Sequence, residues 1–187
     1  MKDFFFILVV ISMIVVSCSP QKKLFKQSDI KDTPIEIAIS DFSRSTKLYK
    51  RDSVFYVAMV GLLNIENLFV VRVGKNTRKL LLTKDAKVGS KGKLPSRYFE
   101  KDRKLFLWWD DDYPLTENAL FIFKKYNLLQ DDKNGAIKIA DSFNDDDAQK
   151  AAHYYFCKKN LLKYKKIITN IGIGYYDAPD LNCNNNH

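Results

Sequence analysis

Apolar residues gather first at the extreme N-terminus. Residues 4–16 form a run interrupted only by Ser12. A spanning helix needs about 20 apolar residues, so this run is short for one and suits a signal-peptide core. After a polar stretch over 19–32, the pattern becomes helical. Thr33-Pro34-Ile35-Glu36 combines a capping hydroxyl, a proline suited to the first helical position and the glutamate of a capping box. Ile35, Ala38, Ile39 and Phe42 then fall on one face, which predicts a helix ending near Ser45. Strand patterns follow over 53–60, 67–73 and 78–83, separated by Gly61 and by a Gly-Lys-Asn turn at Gly74. Three strands on short connections predict an antiparallel meander.

Residues 84–95 hold Gly89, Gly92 and several lysines and are expected to be a loop. A fourth strand is predicted over 104–109, with Phe106, Trp108 and Trp109, ended by Asp110-Asp111-Asp112-Tyr113-Pro114. A second helix is predicted over 116–126, with Ala119, Leu120, Phe123 and Tyr126 inward and Asn127 as its C-cap. Residues 131–135 read as a turn and 136–140 as a short strand. Asp145 or Asp146 then suits the cap of a third helix reaching Lys159, its inner face Ala148, Ala151, Ala152, Tyr155 and Phe156. A final strand is expected over 164–169, at a sheet edge because of its lysines. The sum is an α+β fold: a mostly antiparallel sheet of four to six strands with helices packed on one face. The chain divides into a signal segment 1–17, a flexible tether 18–32, one domain over 33–181 and a polar tail 182–187.

The residues at the end of the first apolar run add a location. Lys2 supplies a positive start, weakened by Asp3, and the run closes on Val15-Val16-Ser17-Cys18. This resembles the lipobox of bacterial lipoproteins. The resemblance implies removal of 1–17 and lipidation of Cys18, which becomes the first mature residue. Two or more acyl chains anchor stably where one does not. By the same resemblance, Ser19 rather than Asp after the cysteine favours sorting to the outer membrane, so the expected place is the periplasmic face of that membrane. Lys22, Lys23 and Lys26 would lie near anionic head groups. The lipobox names no domain family.

Composition narrows the partners. The formal charge is +9, carried by 25 Lys against 6 Arg. A basic chain raises nucleic acid as a partner. The export signal and the scarcity of arginine, the residue favoured for bidentate phosphate contacts, argue against it. Anionic lipid, acidic glycans or an acidic protein remain as partners for the lysines.

Candidate chemistry is sparse. Beyond Cys18, the cysteines are Cys157 and Cys183, a candidate disulfide in an exported protein. His153 stands four residues before Cys157, on one side of the predicted helix. That pair suits a metal half-site or a nucleophile with its base. No further ligands are recognisably placed, so no metal or cofactor is assigned. No G-x-x-x-x-G-K-[ST], G-x-S-x-G, H-E-x-x-H or C-x-x-C occurs. The acidic triplets Asp110-Asp111-Asp112 and Asp145-Asp146-Asp147 each precede a predicted helix, where carboxylates cap amides. They lack the spacing of a calcium loop. The most site-like locality is Trp108, Trp109 and Tyr113 beside the first triplet, an aromatic platform next to carboxylates suited to a sugar or a peptide. Adjacent strand residues face opposite ways, so at most one tryptophan need be core. Tyr175-Tyr176-Asp177 is a weaker version.

Three functions stay open. The first is a non-catalytic binding or inhibitor module acting on a periplasmic protein. The second is an envelope structural or assembly factor that binds peptidoglycan or an outer-membrane complex. The third is a glycan-acting enzyme using the first triplet.

Overall fold

The structure, a computed structural model, describes residues 25–61, 67–83, 87–89, 91–108, 111–132, 138–141, 150–170 and 179–183. It is an α+β fold. Its main sheet has seven strands rather than four to six: β1 (Lys26–Gln27), β2 (Val54–Gly61), β3 (Leu68–Lys75), β6 (Arg97–Lys101), β7 (Lys104–Trp108), β11 (Lys150–Cys157) and β12 (Asn160–Asn170). They lie in the order β1-β6-β7-β2-β3-β11-β12. The β1/β6 and β2/β7 pairs are parallel and the other pairs antiparallel. Two small sheets complete the strands. One joins β4 (Arg78–Thr83), β9 (Leu129–Asp132) and β10 (Lys138–Asp141), and the other pairs β5 (Lys91–Leu94) with β8 (Asp111–Pro114).

Helix α1 (Pro34–Ser45) begins where its capping residues predict. Thr33 Oγ1 accepts from the Glu36 amide at 3.3 Å, while the Glu36 carboxylate reaches back to the Asp32 amide at 2.8 Å. Two donors of the first turn are thereby satisfied. Thr46 then ends α1 and caps the short α2 (Lys47–Arg51), and α3 (Glu117–Lys125) is capped by Thr116.

The core has two parts, one on each face of the sheet. On β7, Phe106 and Trp108 join α1 residues Ile35, Ala38, Ile39 and Phe42 in one cluster. The alternate positions Leu105 and Leu107 join α3 residues Ala119, Ile122 and Phe123 in the other. Successive strand residues point to opposite faces. The helices are thus shared between the two faces, not gathered on one.

Four further expectations are corrected. Residues 150–157 form a central strand, not a helix. Every residue from 151 to 157 is buried, because β11 sits between β3 and β12 with both faces covered. A strand buried on both sides loses its alternation, and a continuous apolar run reads equally as a helix. The three-strand meander stops after β3, whose second neighbour is β11, while β4 leaves to pair with β9 and β10. The glycine- and lysine-rich loop contains β5, which pairs with the acidic segment that was expected only to end a strand. Finally, the polar segment before α1 is not all tether: Phe25 and Ile30 are buried, Phe25 stacks on Tyr98 at 4.6 Å, and β1 pairs with β6.

Candidate functional site

Of the sequence-predicted platform, the described residues show the Trp108 side chain and the backbone of Asp111, Asp112 and Tyr113. Trp108 is a core residue, 4% exposed, with the Arg97 guanidinium 5.5 Å from its ring centroid. It is the core member that strand alternation allows for. Asp111, Asp112 and Tyr113 lie on β8, opposite Leu94, Lys93 and Gly92 of β5. Trp109 and Asp110 lie outside the described residues, as do Cys18, the 145–147 triplet and the 175–177 motif.

Cys157 and Cys183 are joined by a disulfide, with Cα atoms 5.5 Å apart. Cys157 is therefore neither a nucleophile nor a metal ligand. Its partnership with His153 also dissolves, since four residues along a strand span roughly 13 Å. Among the described residues no group of three or more His, Cys, Asp or Glu is placed to hold a metal ion. No described helix is long and apolar enough to cross a membrane.

Several polar side chains tie one element to another. Asp41 of α1 accepts from the Tyr154 hydroxyl at 2.9 Å, Lys166 Nζ at 2.8 Å and Ser45 Oγ at 3.0 Å. Burial pushes this carboxyl upward, but those hydrogen bonds outweigh it and hold it below its ordinary value. Ser45 and Lys166 also lie 2.5 Å apart, which suggests a nucleophile and base. The geometry argues otherwise: Lys166 Nζ is engaged in an ion pair with Asp41 at 2.8 Å as well as donating to Ser45 Oγ. The group joins α1 to β11 and β12. Glu100 plays the same part for α3, accepting from Lys125 at 2.5 Å and Tyr126 at 2.7 Å. Burial raises this carboxyl too, and again the two hydrogen bonds prevail and lower it. Lys104 donates to the carbonyls of Tyr49 and Asp52 and lies 4.5 Å over the Tyr49 ring. The Tyr49 hydroxyl donates to Asp102 at 2.9 Å, and burial together with that carboxylate pushes its pKa up to about 12.

Tyr154→Phe isolates the first of these ties. It keeps the packed ring and removes one hydrogen bond to a charged acceptor. The expected cost is about 2 kcal/mol, with the Asp41 carboxyl titrating higher. Urea unfolding together with carboxyl NMR titration checks both, and an unchanged Asp41 titration would show that the bond does not form in solution.

A groove of about 310 Å³ lies between residues 29–31, α1 and β6. Ile30, Ile39 and Phe99 supply apolar walls, and Asp29, Lys31, Glu36 and Lys101 bring charges of both signs. Local chemistry shapes its edge. Asp29 Oδ1 accepts from the Lys31 amide at 3.0 Å, and Thr33 Oγ1 donates to the Ile30 carbonyl at 2.5 Å. Periodicity misses this groove because it assigns 29–31 to the tether. The buried Ile30 was the one available signal.

The sheet also ends in an unusual edge. β12 has β11 as its sole neighbour among the described residues, and it runs for 11 residues. Leu162 and Ile168 are 83% and 50% exposed, and Lys165 is exposed beside them.

No family pattern, curated protein or solved structure matches the chain.

Proposed function

We propose that the chain is a lipid-anchored envelope lipoprotein whose domain is a non-catalytic binding or inhibitor module for a periplasmic protein. The anchor is Cys18 in the run Val15-Val16-Ser17-Cys18. The observation that carries the binding reading is β12. A long edge strand offers unpaired amides and carbonyls to an added strand. The exposed Lys165 on it would repel a second copy and suit an acidic segment of a partner.

The test has two steps. Cys18→Ser should move the protein from the membrane fraction to the soluble fraction, with loss of acylation from its N-terminal peptide. A Leu162→Glu/Lys165→Glu variant should then bind at least about tenfold more weakly to whatever protein co-purifies stoichiometrically, a loss of about 1.4 kcal/mol, without a shift in unfolding midpoint. Unaltered fractionation removes the anchor, and undiminished capture removes β12 as the interface.

The groove favours a second reading, an envelope structural or assembly factor that binds peptidoglycan. Its apolar walls and mixed charges suit a short peptide carrying both amines and carboxylates, and it is built partly from the segment that leads to the anchor. Salt-sensitive sedimentation with purified peptidoglycan, lost in Lys101→Glu, distinguishes this reading from the first.

A further inference from the structure

The second face of the main sheet carries an arginine with no ion pair among the described residues. Arg72 sits on β3 between the buried Val71 and Val73, opposite Ala58 of β2 on one side and His153 of β11 on the other. Two residues on, Gly74 stands opposite Tyr56 of β2 and Ala151 of β11. The Tyr56 ring leans across onto Gly74: a Cβ there would meet Tyr56 Cε1 at 2.7 Å and the hydroxyl at 2.9 Å. Glycine is required for that approach, and the approach sets the phenol over β3 beside Arg72. Ala58, Gly74 and Ala151 beside them contribute almost no side-chain volume, while the buried Val70 and Tyr155 stand on the other side.

Both Arg72 Nε and the Tyr56 hydroxyl are buried and have no hydrogen-bond partner among the described residues. That is costly. An unpaired buried donor forfeits about 1–3 kcal/mol, and more when it is charged; native proteins keep such groups where a ligand completes them. Two arginines bring positive charge here, and the Tyr56 hydroxyl and His153 imidazole bring neutral polar groups. Arg72 acts electrostatically on both Tyr56 and His153, and Arg78 of β4 acts on Tyr56. A guanidinium fork matches the two oxygens of a carboxylate or phosphate, and a phenol hydroxyl supplies a further donor.

We propose that Arg72 and Tyr56, with His153 and Arg78 beside them, form a binding site for an oxyanion, the carboxylate or phosphate group of a ligand. The site lies on different strands from the groove and does not depend on the anchor or on β12.

Thermal unfolding of the full chain tests it, in rising sodium phosphate or sodium acetate with ionic strength held constant by chloride. A specific anion should raise the wild-type midpoint progressively with its concentration, by linkage. Arg72→Met should weaken binding at least about tenfold and abolish that rise. In chloride alone it should unfold no lower than the wild type, since it replaces a half-buried guanidinium whose buried Nε has no partner among the described residues by an apolar side chain. Tyr56→Phe, which keeps the ring over Gly74, should weaken the response to a lesser degree. A rise in phosphate alone identifies a phosphate-bearing ligand and a rise in acetate a carboxylate. Equal midpoints in phosphate, acetate and chloride would overturn the site. So would an Arg72→Met protein that unfolds well below the wild type in chloride, because Arg72 would then be structural.

Discussion

Acidification from pH 6.5 to pH 4 is expected to cost the fold about 3 kcal/mol through His153 alone. His153 is 2% exposed at the centre of β11. Burial lowers its pKa from 6.5 to about 4, and the neighbouring Arg72 guanidinium adds to the effect. The sign follows from proton counting. Above 6.5 the imidazole is neutral in the folded and unfolded chain alike, so the full stability is present. Between 6.5 and 4 the unfolded chain takes up a proton that the folded chain refuses, and stability falls as pH falls. Below about 4 both states are protonated and the contribution of His153 is exhausted. The carboxyls of Asp41 and Glu100 then take over. Both sit below their ordinary values in the folded state, so what they contribute is lost as pH drops further through those lowered values. Urea unfolding at a series of pH values should show a wild-type midpoint falling steadily from 6.5 to 4. His153→Gln should be nearly flat over that window and fall only below it. Parallel profiles for the two proteins would mean that His153 is protonated in the folded chain.

What the sequence reveals here is local. The start of α1 is readable because Thr33, Pro34 and Glu36 act on amides within one turn. The strand over 78–83 is readable because its β-pattern is bounded by turn residues. Position within a sheet is another matter. β11 lies inside the sheet, between β3 and the edge strand β12, and nothing within 150–157 states that both of its faces are covered. Its run Ala151, Ala152, Tyr154, Tyr155 and Phe156 fits either period. The departure of β4 from the meander depends on β9, some 50 residues away in the chain. The site suffers from the same limit. Alternation allowed one of Trp108 and Trp109 to be core but could not say that Trp108 would be buried. Arg72, Tyr56 and Gly74 come from two strands, and only their pairing register sets the phenol beside the guanidinium. A lone arginine inside a valine-rich strand, Val70-Val71-Arg72-Val73, was nevertheless a visible anomaly. A charge in an otherwise apolar strand asks what pairs with it.

Loss of the Cys157–Cys183 bridge is expected to cost about 3 kcal/mol, comparable to full titration of His153. The bond closes a loop whose ends are 26 residues apart in sequence. It restricts the unfolded chain, and for a loop of this length the entropy removed is worth roughly that amount at 25 °C. In the folded chain the bond holds segment 179–183 against the end of β11, where Pro179 is buried and the Asn182 carbonyl accepts from Lys163. Cys157 is itself fully buried, so Cys157→Ser would confound the lost bond with a buried hydroxyl. Cys183→Ala is the cleaner variant, because Cys183 is only half-buried. It should lower the urea midpoint of the oxidised protein to that of the wild type under reductant, and reductant should not lower it further. Hydrogen exchange should then show lost protection in segment 179–183 while β2, β3 and β7 keep theirs. Such a bond persists only where the compartment sustains it, so the thiol state of the wild-type protein also probes location. If the wild-type protein recovered from its own cell envelope carries free thiols at both positions, the periplasmic assignment is wrong along with the anchor that implied it.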